Sequence, residues 1–193
     1  MDPEPETSNK PGLLERLSHF LLREPEDHEQ LVGLLHSAYE NQLMDGDSLA
    51  MIEGVLQVSE MQVRDIMIPR SKMDVIDITA PPQTFIPHVI ETAHSRFPVI
   101  EDDKNDVIGI LLAKDLLRYY AGEKFEVREM LRPAVFIPES KRLNVLLKEF
   151  RSNRNHIAMV VDEYGGVAGM VTIEDVLEQI VGDIEDEYDY DED

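Results

Sequence analysis

Thr172 and Asp175 stand three residues apart in the run Gly169-Met170-Val171-Thr172-Ile173-Glu174-Asp175. The pair falls where the last strand of a hairpin enters a helix. A threonine hydroxyl and the free N–H groups of a helix's first turn suit a phosphate oxygen, helped by the positive end of the helix dipole. An aspartate three residues on points to the same side and can accept both hydrogen bonds of a ribose diol. The competing use of the same two residues is structural: Thr172 caps the helix and Asp175 complements its dipole.

Other chemistry finds little support. There is no cysteine, hence no disulfide, no thiolate nucleophile and no Cys-ligated metal. The six histidines, at 19, 28, 36, 88, 94 and 156, show no His-x-x-x-His pair or other zinc spacing. No Gly-x-Ser-x-Gly elbow, Gly-x-x-x-x-Gly-Lys phosphate loop or Gly-x-Gly-x-x-Gly turn occurs. His94 and Arg96 flank a strand and read as structural. Asp45 and Asp47 invite a calcium-loop reading, but such a loop needs glycine where Ala50 stands and glutamate where Leu56 stands. A helix N-cap accounts for them better. The expectation is a non-enzyme with no metal site.

Charge narrows the partners. The 193 residues carry 18 Lys+Arg against 40 Asp+Glu, a net charge of −22. Such a surface repels phosphate backbones and anionic lipid, so nucleic acid is not an expected partner. Eight of the eleven residues from Asp183 to Asp193 are acidic. That block reads as a solvated tail or linker, able at most to hold a divalent cation loosely. Apolar runs such as Val107–Ala113 are too short to span a bilayer, and the start, Met1-Asp2-Pro3-Glu4, lacks a signal-peptide pattern. The expected location is the cytoplasm, or the inner membrane's periphery through a partner.

The elements that position the Thr172 site come in two copies. Residues 1–61 form an N-terminal segment, with a Pro- and Glu-rich start. Helices are expected from Leu13, Leu14, Leu17, Phe20 and Leu21, then from Leu31, Leu34, Leu35, Ala38 and Leu43 with Glu26 and Asp27 in the first turn. A third follows from Leu49, Ile52, Val55 and Leu56. Beyond it, Val63-Arg64-Asp65-Ile66-Met67-Ile68-Pro69 recurs as Val127-Arg128-Glu129-Met130-Leu131-Arg132-Pro133, an offset of 64. Arg96-Phe97-Pro98 aligns with His156-Ile157-Ala158, and Val107–Leu117 with Val167–Leu177, an offset of 60. Repeats over 62–122 and 123–182 follow, with 183–193 as the acidic tail. Each reads β–α–β–β–α: a strand at Val75–Ile78 or Ala134–Ile137, then a helix with Ile86, Val89, Ile90 and Ala93 or Leu143, Leu146, Leu147 and Phe150 on one face. A hairpin follows, turning at Glu163-Tyr164-Gly165-Gly166 in the second copy, then a helix near Asp115 or Asp175. The fold class is α+β, two small units packed on each other because neither buries both faces alone. The N-terminal helices are expected to pack on the repeats.

This pattern resembles the cystathionine-β-synthase (CBS) domain, whose tandem pair is called a Bateman module. The resemblance covers about Val63 to Gly182 and rests on the Met–Pro segments, Phe97-Pro98-Val99 and the Gly169–Asp175 run. Arg64–Arg70, His94–Val99, Val161–Val167 and Gly182–Glu187 are similar to the CorC magnesium and cobalt efflux family, related to hemolysin-like and cyclin-M-type proteins. In such a pair the resemblance implies an adenine nucleotide, AMP or ATP, with or without Mg²⁺. Thr172 and Asp175 would hold phosphate and ribose, and Ala134, Asn155 and Ile157 would wall the base and ribose. The first copy keeps Asp115 but has Leu112 in place of the threonine, so it should bind poorly or not at all. Lys114 either reaches a phosphate across the pseudo-twofold or is an exposed helix lysine. The resemblance further implies a homodimer and a membrane transport partner. A ligand-independent dimerisation scaffold is the rival reading.

Overall fold

The computed structural model describes residue 25, residues 27–122 and residues 126–182. The helix expected from Leu13 to Leu21 and the acidic run from Asp183 lie outside them. The chain divides into two units, Met1–Leu49 and Ala50–Asp193.

In the first unit, helix α1 (His28–Glu40) begins where Asp27 accepts a hydrogen bond from the Gln30 N–H at 2.8 Å. Asp27 is therefore the N-cap rather than a first-turn residue. No residue of α1 is buried, and Leu43 lies beyond its end, 78 % exposed. Helix α2 (Gly46–Glu60) has the cap expected at Asp45, which accepts from the Ser48 N–H at 2.7 Å. Hydrogen bonds from the Ser48 side chain and backbone hold the Asp45 carboxyl below the usual range. A depressed folded pKa means that this stabilisation is present above the unfolded value of about 3.9 and is lost as pH falls through the folded one.

The second unit starts inside α2. Gly54 is buried, and a Cβ there would lie 2.7 Å from the carbonyl oxygens of Gln179 and Ile180. Val58 is buried in the same cluster as Val63, Leu143, Phe150 and Val176. Packing therefore does not change at residue 62: the second half of α2 belongs with the repeats.

Two sheets follow. The first orders β2 (Ile76–Asp77), β3 (Arg96–Ile100) and β4 (Val107–Leu112), with β2 parallel and β4 antiparallel to β3. The second orders β1 (Ile68–Pro69), β7 (Val167–Thr172), β6 (Ile157–Val161) and β5 (Phe136–Pro138). Helix α3 (Pro82–Thr92) covers the first sheet through Phe85, Ile86 and Val89. Ile90, expected on that face, is 68 % exposed. Helix α6 (Leu143–Asn153) covers the second sheet through Leu143, Leu146 and Phe150. The hairpin turn at Gly165 has φ +82°, a left-handed conformation that glycine adopts without a Cβ clash. Asp162 holds it by accepting from the Tyr164 and Gly166 N–H groups at 2.9 and 2.8 Å.

The opening segments are exchanged between the repeats. β1, from the first, pairs with β7 of the second, Ile68 against Met170 and Pro69 against Gly169. Arg132, from the second, bridges to Ile110 on β4 of the first. Side chains follow the backbone: Val63 is buried in the second repeat's core, and Met130, at the end of the single-turn helix α5 (Val127–Met130), in the first's. A third cluster joins the sheets through Met73, Ile100, Val107 and Ile110 on one side and Ile157, Met159, Val167 and Met170 on the other. This is the packing of two insufficient units that the α+β reading requires.

Pairing also corrects the repeat alignment. Arg96 faces Leu112 where Ile157 faces Thr172, so β3 and β6 are related by 61 residues, not 60. The second repeat loses three residues before β5 and one in the hairpin.

Candidate functional site

Strand register places the walls of the site. Phe136 pairs with Met159 in parallel, which sets Ala134, two residues earlier, beside Ile157. Ile157 in turn faces Thr172 across the antiparallel pair. Ala134, Ile157 and Thr172 thus form one row across three chain segments, ending at the start of helix α7 (Ile173–Val181). Ile157 is buried in the inter-sheet cluster, and Ala134 packs against it half-buried. Asn155 adjoins this row, and its amide has no hydrogen-bond partner among the described residues.

Thr172 and Asp175 form a reciprocal capping box. The Asp175 N–H donates to Thr172 Oγ1 at 3.1 Å, and the Thr172 N–H donates to Asp175 Oδ2 at 2.6 Å. The structural use of this pair is therefore realised. It does not exhaust their valence: Asp175 Oδ1 has no partner among the described residues, and a hydroxyl that accepts can still donate. Both residues are only partly buried. His156 Nδ1 lies 3.9 Å from Glu174 at the rim of this end.

The first repeat shows what the threonine does. With Leu112 at the cap position there is no side-chain cap, and the chain leaves β4 through a 3₁₀ turn, Ala113–Leu116, into the single-turn helix α4 (Leu117–Tyr120). The second repeat, capped by Thr172, runs as one nine-residue α-helix. Asp115 is ion-paired to Arg132, Nη1 to Oδ2 at 2.8 Å. Lys114 is exposed and makes no ion pair among the described residues. His94 shares Asp74 with His88, the two Nε2 atoms lying 3.2 and 3.1 Å from its carboxylate oxygens. This clasp joins the start of β3 and helix α3 to the segment before β2 and accounts for His94 without a ligand. Sequence reasoning missed Arg132, whose only signal was the charge it places where the first repeat has Ile68.

Open grooves among the described residues of the second unit include two away from this end. One, about 290 Å³, is lined by Arg70, Ser71 and Asp162; the other, about 560 Å³, lies on α6 beside Lys148 and Arg151. Among the described residues no group of three or more His, Asp or Glu is arranged to hold a metal ion.

A family model of the CBS domain matches residues 63–122 and 125–182. A model of the N-terminal region of NMB0537 matches residues 23–58. The magnesium and cobalt efflux protein CorC of Vibrio cholerae serotype O1 is 51% identical over 189 residues, 97% of this chain. The chain spans 65% of that relative's length. The CBS domain of a bacterial CNNM/CorC family Mg²⁺ transporter, solved with the inhibitor IGN95a, matches with a TM-score of 0.74 at 39% identity, covering 83% of this chain and 100% of that one. A CBS domain of a bacterial CNNM/CorC family Mg²⁺ transporter solved in complex with ATP matches with a TM-score of 0.64 at 42% identity, covering 69% and 96%.

Proposed function

Because the chain belongs to the CBS-domain family, as a tandem pair of the CorC type, we propose that it is the adenine-nucleotide-sensing module of a magnesium and cobalt efflux protein. The family is a regulatory one and not enzymatic. The observation that carries the reading is the row of Ala134, Ile157 and Thr172 beside an Asp175 whose Oδ1 is unpartnered. Ile157 and Ala134 offer an apolar wall for adenine, and Asn155 an amide for base or ribose. Asp175 Oδ1 accepts from the ribose, and Thr172 with the first N–H groups of α7 meets the phosphate. Lys114, exposed on the first repeat, is the cation assigned to the phosphate in this reading. A match to a domain solved with ATP supports the ligand class.

A thermal-shift panel of AMP, ADP, ATP and ATP–Mg²⁺ tests this. Ligand that binds only the folded state raises the melting temperature by mass action. ATP–Mg²⁺ is expected to act more strongly than ATP, because the cation masks phosphate charge that a protein of charge −22 repels. The capping box favours the second reading, a scaffold whose Thr172 and Asp175 serve only each other. No shift with any member of the panel establishes the scaffold.

The regulated partner is proposed to be membrane-embedded, contacted from the cytoplasmic side. Among the described residues no helix is long and apolar enough to cross a membrane. Nucleotide would bias the packing between repeats, or between protomers, and so bias that partner. The module is further expected to be a homodimer. On the final helix of each repeat Leu116 and Val176 are buried, whereas Leu117, Tyr120, Leu177 and Val181 are exposed by 70, 67, 37 and 47 % and offer apolar surface for a second copy. Light scattering at micromolar concentration should return twice the chain mass; the mass of a single chain would rule the dimer out.

A further inference from the structure

We propose that the acidic run Asp183–Asp193 docks on the exposed face of α6, in the groove beside Lys148 and Arg151, and is not a free solvated tail. The inference is independent of the nucleotide reading. α6 and the turn before it form a cationic island in an acidic chain: five of the 18 Lys+Arg lie between Lys141 and Arg154, against one acid, Glu149. Two of the five are engaged. Lys141 pairs with Glu149 at 2.5 Å, and Arg142 donates to the Glu60 carbonyl at 2.9 Å. Lys148, Arg151 and Arg154 are exposed and make no ion pair among the described residues. In a protein of charge −22, uncommitted cations gathered on one helix mark where acid can be received.

Shape and reach agree with the charge. Asn144, Lys148 and Arg151 follow one another at four and three residues, a single helix stripe about 10 Å long. With Leu147 and Ser152 they line the groove of about 560 Å³. Leu147, half-buried against the core, is the apolar part of that lining. The run carries matching chemistry: eight carboxylates, with Ile184, Tyr188 and Tyr190 between them. Carboxylates pair with Lys148 and Arg151, and a tyrosine ring lies against a guanidinium or over Leu147. Ile180 of α7 packs on the same cluster as Leu147, so the run leaves from a helix that shares its core with α6. Gly182, with φ +78°, ends α7 and turns the chain out of the helix. Eleven extended residues reach about 36 Å, whereas the eleven residues of α6 span about 16 Å. A segment tethered this closely has an effective concentration on the order of millimolar, so individually weak exposed pairs suffice. Docking ties the end of α7 to α6 outside the core that the two helices share.

Carbodiimide coupling of the full chain, followed by mass spectrometry, tests this. Lys148 is expected to join carboxylates of residues 183–193 several times more often than Lys72 and Lys114, which are also exposed. The preference should vanish in about 1 M NaCl, where the screening length falls to about 3 Å. It should vanish also in Arg151→Glu, which keeps the Lys148 amine but reverses its neighbour's charge, and persist in Arg151→Lys. Equal coupling of the three lysines overturns the docking, and so does a preference that survives both salt and Arg151→Glu. Mixing isotopically heavy and light chains identifies the other occupants. Lys148 links that join heavy to light chains assign the groove to a second copy's run and overturn the intrachain contact. Flotation of the chain with phosphatidylglycerol vesicles, lost in Lys148→Glu, assigns it to an anionic membrane and overturns the proposal likewise.

Discussion

Gly169→Ala is expected to be the most damaging single-methyl change in this protein. The residue does not need glycine for its backbone angles; it needs it for space. β1 crosses β7 so closely that a Cβ at 169 would sit well inside 3.0 Å of the Ile68 carbonyl oxygen, with the Pro69 Cα at 3.3 Å. Both obstacles are backbone, so no side-chain rotation relieves them. The strand exchanged from the first repeat would have to lift, taking with it Val63 from the second repeat's core. Overpacking against backbone costs about 3 kcal/mol or more, roughly a 10 °C loss in melting temperature for a chain of this size. Gly109→Ala is the internal comparison. Its Cβ would meet Leu131 Cβ at 2.9 Å and the Arg132 oxygen at 3.0 Å, a smaller overlap than at Gly169, and the bridge there is a single residue pair. About 1–2 kcal/mol is expected. Equal losses at the two glycines, measured by chemical denaturation, would mean that the exchanged segments do not bear the load assigned to them.

Asp175→Ala should lower affinity for adenine nucleotides by tenfold or more. The change removes the ribose acceptor, and each charge-assisted hydrogen bond lost is worth roughly 1.5–3 kcal/mol at most. Thr172→Ile removes the phosphate contact and crowds the row beside Ile157, so ATP and AMP should suffer more than adenosine. Both changes also dismantle the capping box, at a cost of about 1 kcal/mol in stability. Thr172→Ser separates the effects, since it retains both the cap and the phosphate donor; it should bind and melt nearly as the wild type does. Asp115→Ala, in the pocket already paired to Arg132, should leave nucleotide affinity almost unchanged. Asp115→Ala as damaging as Asp175→Ala would assign the site to the wrong repeat. Undiminished binding in both would remove it from this motif.

Repetition, periodicity and the Gly-x-x-Thr-x-x-Asp run were legible because they are local. Period-two and period-3.6 patterns depend on which side of a sheet or helix is buried, and two copies of one pattern reinforce each other. The cap at Asp45 and the turn at Gly165 were legible for the same reason, since each needs only neighbours along the chain. Thr172 and Asp175 could be named from spacing alone, but their rival uses could not be separated there. One pair of side chains at a helix start satisfies a cap and a ligand with the same atoms.

What the tertiary structure decided was pairing. The segments Val63–Pro69 and Val127–Pro133 have the same pattern, so either could add to either sheet; only the assembled fold shows that each serves the other repeat. The shift of one residue between β3 and β6 was hidden likewise, because a run buried at nearly every position, Phe97 to Ile100, has no alternation with which to fix register. Arg132 read as an ordinary charged residue in a degenerate copy of a motif. Its partner, Asp115, is 17 residues away along the chain and is brought to it by strand exchange, a long-range contact for which no local pattern exists. Local physics wrote the elements, while the choice of neighbour rested on shape and charge that exist only after the two halves have packed.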